Sequence, residues 1–122
     1  MRRAARLAIA MAMVAGCLAS SVLPALAHAH LVTSTPAVGA SVIAPAELRL
    51  TFSEGVELAF SSVELIGPNG PMSGALELAG GDKTGLVLHL KPPLAPGDYK
   101  VHWHVVSVDT HRTEGTFGFT VK

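Results

Sequence analysis

Cysteine is all but missing from this chain: Cys17 is the only one in 122 residues. Aromatic side chains are scarce too, with four Phe, one Trp and one Tyr, and charged residues make up 15%. If the chain is cut where its leading residues suggest, the remainder holds no thiol, which excludes both disulfides and thiolate metal chemistry. Beyond that leader no run approaches the roughly 20 apolar residues that a membrane-spanning helix needs. A sustained apolar period of 3.6, the mark of an amphipathic helix, is absent as well. Positive charge is also short: residues 28–122 carry six Lys and Arg against nine Asp and Glu, a net charge of −3, which disfavours a nucleic-acid partner. There are no internal repeats and no low-complexity linkers.

What is present begins with an export signal. Arg2, Arg3 and Arg6 precede an apolar run that no acidic residue interrupts, and it ends in Pro24-Ala25-Leu26-Ala27. Small residues at Ala25 and Ala27 fit the A-x-A cleavage pattern, so residues 1–27 read as a cleaved signal peptide and residues 28–122 as one mature domain. Export places the domain in the periplasm or an equivalent envelope compartment. Two competing readings of the leader remain. Val14-Ala15-Gly16-Cys17 resembles a lipoprotein cleavage site, with Cys17 as the lipid carrier, and the run is nearly long enough for a retained signal anchor.

The mature part alternates apolar and polar residues over short runs at 31–35, 47–52, 61–66, 75–78, 84–90, 98–107 and 115–121, separated by Gly, Pro and Asn clusters. About seven short strands at this spacing predict an all-β domain, a sandwich or a Greek-key barrel. Alternation places Tyr99, Val101, Trp103 and Val105 in the core and sends Lys100, His102 and His104 to the other face. Leu86, Leu88 and Leu90 point inward by the same rule, and Val87 and His89 outward.

All six histidines lie in the mature part, and histidine is the commonest side-chain metal ligand. Cleavage before His28 would give that residue a free α-amine beside its imidazole, and amine nitrogen and Nδ1 together can close a six-membered chelate ring on one metal. An α-amine, with an ordinary pKa of about 7.7 to 8.0, yields its proton readily to a metal at neutral pH. Asp109-Thr110-His111 follows the longest strand. If its backbone stays extended, the two residues share one side about 6.5 Å apart, and carboxylate and imidazole converge. Two or three nitrogens with one oxygen suit tetragonal Cu(II). Each motif alone has a plainer explanation, a chance N-terminal His or a hydrogen-bonded loop.

Three blocks of sequence tie these motifs together. They are His28-Ala29-His30-Leu31-Val32-Thr33-Ser34-Thr35-Pro36-Ala37-Val38-Gly39, then Leu50-Thr51-Phe52-Ser53-Glu54, and Tyr99-Lys100-Val101-His102-Trp103 running on to Ser107-Val108-Asp109-Thr110-His111. In order and spacing the chain resembles the periplasmic copper-resistance protein CopC family. The resemblance implies an immunoglobulin-like or cupredoxin-like Greek-key β-sandwich, closing into a barrel, that works as a monomer. It further implies one Cu(II) per chain held by His28, Asp109 and His111, with Glu54 as a weak ligand or a supporting acceptor. A CopD-like inner-membrane copper transporter is the implied partner. The better-known members carry a methionine-rich segment whose thioethers suit Cu(I). Here Met1, Met11 and Met13 leave with the signal and Met72 stands alone, so a Cu(II)-only member is expected.

Other readings stay in view. His30 could take the place of His111 in a weaker site. His102 and His104 form an exposed polar row that could bind metal adventitiously, and His89 reads as a solvated surface residue. At the level of function, the leading expectation is a copper carrier or buffer and not an enzyme. A copper-dependent oxidative enzyme also builds its site on an N-terminal His, but it needs a wide substrate face, and the single Trp and Tyr here are assigned to the core. A metal-free structural sandwich is the third possibility.

Overall fold

Alternation of apolar and polar side chains is carried into the backbone along nearly the whole domain, and among the described residues every regular element longer than a single turn is a strand. The computed structural model describes residues 28–91 and 93–122. The expected signal peptide, with Cys17, lies outside the described residues. In chain order the strands are β1 (Leu31–Thr35), β2 (Ser41–Val42), β3 (Glu47–Phe52), β4 (Ser62–Gly67), β5 (Gly70–Met72), β6 (Ala75–Ala79), β7 (Gly85–His89), β8 (Gly97–Val106) and β9 (Arg112–Val121). One 3₁₀ turn, Leu58–Phe60, lies between β3 and β4.

The seven expected strands are all present, joined by two short ones, β2 and β5, that lie at sheet edges. The strands form two sheets, ordered β1-β3-β7-β6 and β2-β9-β8-β4-β5. Pairing is antiparallel except between β2 and β9. Among the described residues both sheets keep free edges, so the fold is a sandwich and not a closed barrel. The chain passes repeatedly between the sheets, as a Greek-key connection requires.

The core lies between the inner faces. Leu48, Leu50 and Phe52 of β3 and Leu86 and Leu88 of β7 meet Val63 and Leu65 of β4, Val101, Trp103 and Val105 of β8, and Phe117 and Phe119 of β9. Phe52 and Trp103 pack edge to face with centroids 5.1 Å apart, a geometry that adds about 0.5–1.5 kcal/mol beyond area burial. Gly115 sits directly opposite Trp103 in the β8-β9 ladder. A Cβ there would stand 2.5 Å from the indole Cζ2, so only glycine leaves room for the ring. At the start of β8 the Tyr99 hydroxyl donates to the Ala95 carbonyl at 2.7 Å, a corner of the kind Greek-key sandwiches use to fix a strand entry.

One outward-facing residue is less exposed than its face suggests. Val87 is buried, although alternation points it away from the inter-sheet core. Its strand is central in its sheet, and its direct cross-strand neighbours are Arg49 and Glu77, whose methylene stems can screen a small side chain lying between them. His89 is exposed as expected, and its Nε2 lies 2.7 Å from Glu77 Oε1.

Candidate metal centre

Three segments converge at one end of the sandwich: the residues before β1, the bend after β3, and the loop between β8 and β9. The first is anchored by Ala29, which is fully buried. Its carbonyl accepts a hydrogen bond of 2.7 Å from Thr113 Oγ1 on β9. On the other side Ser53 ties the same segment to the end of β3. The Ser53 N–H donates to the His30 carbonyl at 2.9 Å, and the His30 N–H donates to Ser53 Oγ at 3.0 Å. Ser53 Oγ also lies 3.1 Å from His30 Nδ1 and donates, at 3.5 Å, to the His28 carbonyl. A segment that would otherwise fray is thereby held on both flanks, with His28 exposed at its start.

Asp109 and His111 are brought together by a different route from the one their spacing suggests. The backbone here is a tight loop, not an extended strand. The Ser107 N–H donates to the His111 carbonyl and the Thr110 N–H to the Ser107 carbonyl, each at 2.8 Å. Thr110 takes a left-handed conformation at φ +74°, which is uncommon for a branched residue and reverses the chain within the loop. Carboxylate and imidazole converge all the same, with His111 Nδ1 3.2 Å from Asp109 Oδ1.

Ser107 organises this loop. It is fully buried, and its hydroxyl donates to Asp109 Oδ1 and accepts the His111 N–H at 3.3 Å. The Ser107 hydroxyl above all, then the His111 side chain, holds the Asp109 carboxyl below its ordinary range, so it stays an anion throughout neutral and mildly acidic conditions. The His28 ring closes the group, packed edge-on against His111 with centroids 4.6 Å apart. His111 thus stands between a second imidazole and a carboxylate. The His111 side chain is 50% exposed and that of Asp109 34%, so a hydrated ion has open access.

Of the four residues expected at the site, His111 touches two others, His28 through its ring and Asp109 through Nδ1, but the ligand atoms of all three do not fall within 4.8 Å of one another. Glu54 is not joined to them by any hydrogen bond or ion pair among the described residues. It is half-buried in the bend after β3, next to Ser53. The His30 ring is turned to Ser53 and makes no hydrogen bond to Asp109 or His111. Met72 lies in β5 and packs against the hydrophobic core. Sequence reasoning missed the supporting roles of Ser53, Ser107 and Thr113. For Ser107 a signal existed, since it leads the Ser-x-Asp-x-His run. Ser53 and Thr113 act across 23 and 84 residues of chain, which no local motif records.

Comparison with known proteins bears on what such a group binds. Residues 31–122 match the family described as CopC domain. The chain is 41% identical over 115 residues to copper resistance protein C of Pseudomonas syringae pv. tomato, covering 88% of this chain and 90% of that protein. Among solved structures, CopC from Methylosinus trichosporium OB3b superposes with a TM-score of 0.71 at 34% identity, over 78% of this chain and 94% of that one. PcoC from Escherichia coli, described as a methionine-rich copper resistance protein, gives a TM-score of 0.67 at 38% identity, over 79% of this chain and all of the other.

Proposed function

The chain belongs to the CopC family, and on that premise we propose that it is an exported carrier or buffer for Cu(II) that binds one ion per chain at the N-terminus created by cleavage before His28. The observation that carries this reading is the packing of His28 on His111, which is itself bonded to Asp109. In the uncleaved chain the His28 nitrogen is an amide and a poor ligand. Cleavage turns it into an amine, so the site is completed only after export to the periplasm.

The donor set would be the amine and Nδ1 of His28, a ring nitrogen of His111 and an oxygen of Asp109, the mixture of nitrogen and oxygen that tetragonal Cu(II) takes. Each residue has a distinct part. His28 chelates, His111 adds a neutral nitrogen, and Asp109 supplies the negative charge, which the Ser107 hydroxyl stabilises. Glu54, near the same segment, is the candidate to accept a proton from the amine or to orient an imidazole. Metal uptake displaces protons from the nitrogens, so capture is favoured at neutral pH and release under acid.

An open, partly solvated site on an exposed loop suits reversible loading and delivery better than a buried catalytic centre. Delivery to an inner-membrane copper transporter of the CopD kind, by a monomeric carrier, follows from the resemblance. Met72 is engaged in the core, which supports a carrier without a thioether site for Cu(I). The test is titration of the mature domain with Cu(II) against a competing chelator. One tight equivalent, lost in His28→Ala and in His111→Ala, is expected. Unchanged affinity in both variants would refute the assignment.

A further inference from the structure

A second cluster of ligand side chains lies on the outer face of the five-stranded sheet, away from the N-terminal segment. His102 and His104 alternate with the core residues Val101, Trp103 and Val105 along β8, so both imidazoles project outward. Register then adds a carboxylate: Glu114 of β9 pairs directly with His104 and lies diagonally from His102. Its Oε1 is 3.1 Å from His102 Nε2 and 3.8 Å from His104 Nδ1, and the two rings stand 4.4 Å apart. Among the described residues this is the group of His, Asp, Glu and Cys whose three ligand atoms all fall within 4.8 Å of one another.

We propose that His102, His104 and Glu114 form a second metal site, independent of the N-terminal amine, that takes a divalent transition-metal ion of the Cu(II) and Zn(II) type. Two imidazole nitrogens and one carboxylate oxygen are a donor set for these ions, and Cu(II) leads Zn(II) in intrinsic affinity. The mounting is rigid, because β8 is held by β9 on one side and β4 on the other, so little order has to be created on binding. Glu64 of β4 stands in register beside His102 and Ser62 beside His104, both on the same face, within reach of a fourth ligand position. The ligands lie on the surface, with side-chain exposures of 32% for His102, 49% for His104 and 62% for Glu114. Three ligands without a chelating amine make this the weaker, faster-exchanging site. From His104 to Ser107, where the N-terminal site begins, the strand advances three residues, roughly 10 Å.

The test uses the mature domain, equilibrated by dialysis against CuCl₂ or ZnCl₂ with a weak competing ligand, in three forms: unmodified, with the His28 amine acetylated, and as the double variant His102→Asn with His104→Asn. Exposed outer-face substitutions should leave the fold intact, which far-ultraviolet circular dichroism checks. The expected result is a weaker equivalent of Cu(II), and a Zn(II) equivalent, that survive acetylation and vanish in the double variant. Glu114→Gln should weaken that equivalent by at least the roughly 10- to 100-fold that even a supporting residue is worth. A weaker equivalent unchanged in the double variant, or none in the unmodified domain, would overturn the proposal. Loss of only the tighter equivalent on acetylation concerns the N-terminal site and leaves this one standing.

Discussion

Replacing Thr113 by valine removes one hydroxyl and keeps the shape of the side chain. That hydroxyl donates to the carbonyl of Ala29 at 2.7 Å, across 84 residues of chain. Because Ala29 is fully buried, its carbonyl has little prospect of replacing the lost donor with water. A net hydrogen bond contributes about 0.5–1.5 kcal/mol, and a buried acceptor left unpaired costs about 1–3 kcal/mol. The contact is half-buried, which places the loss near 1–2 kcal/mol. Urea denaturation of the copper-free domain should read that amount directly. Copper affinity should fall with it, since in the variant the ion must order a segment that Thr113 otherwise holds in place. A cost of about 1–2 kcal/mol corresponds to a 5- to 30-fold weaker Kd. Competitive titration of the same sample supplies the second number. Lost stability with unchanged Cu(II) affinity would show that Thr113 does not position His28, and a loss well beyond 30-fold would mean that a tether alone cannot account for its effect.

Ser107→Ala should let the Asp109 carboxyl rise toward its ordinary range and weaken Cu(II) binding by roughly 10- to 100-fold, as loss of a partner that orients a ligand does elsewhere; titration near pH 7 is the check. Copper competes with protons for amine and imidazole nitrogens, so affinity should fall steadily as pH drops through about 6.5, and a flat profile between about pH 8 and pH 5 would contradict nitrogen ligation. The Asp82 carboxyl is held below its ordinary value first by the Thr84 hydroxyl and then by the Thr84 N–H. Its contribution is therefore fully present above about pH 4 and lost as pH falls through the lowered folded value. Asp82→Asn should be less stable than the parent at about pH 7, with the difference shrinking as pH falls below about 4. Gly115→Ala drives a methyl group into the Trp103 ring and should cost about 1–3 kcal/mol by overpacking, with a changed near-ultraviolet signal.

How much of this was legible in the sequence depended on whether the determining interaction was local. The seven longer strands announced themselves because inward leucines, valines and aromatics alternate with polar residues, as in Glu47–Phe52, where expectation and structure coincide. β2 and β5, of two and three residues, are too short to carry a period and owe their state to the strands beside them. β9 starts three residues earlier than expected because Arg112, Thr113 and Glu114 pair with Val106, Val105 and His104 in the β8 ladder, which composition does not reveal. The site divides in the same way. The Asp109 and His111 pair is local and was legible, although the loop that joins them was not, since it rests on Ser107 and a left-handed Thr110. The meeting of His28 with His111, 83 positions apart in the sequence, came only from the family resemblance. The outer cluster was half visible as two alternating histidines, and its carboxylate emerged from strand register alone.

The central claim is that the α-amine released at His28 is a ligand to Cu(II). It is tested most directly by the Cu(II) dissociation constant of the mature domain before and after acetylation of that amine, measured for the tighter equivalent against a competing chelator. The expected result is a loss exceeding the roughly 100-fold that a supporting residue can cost, with the fold unchanged. Equal affinity in the two samples would contradict it.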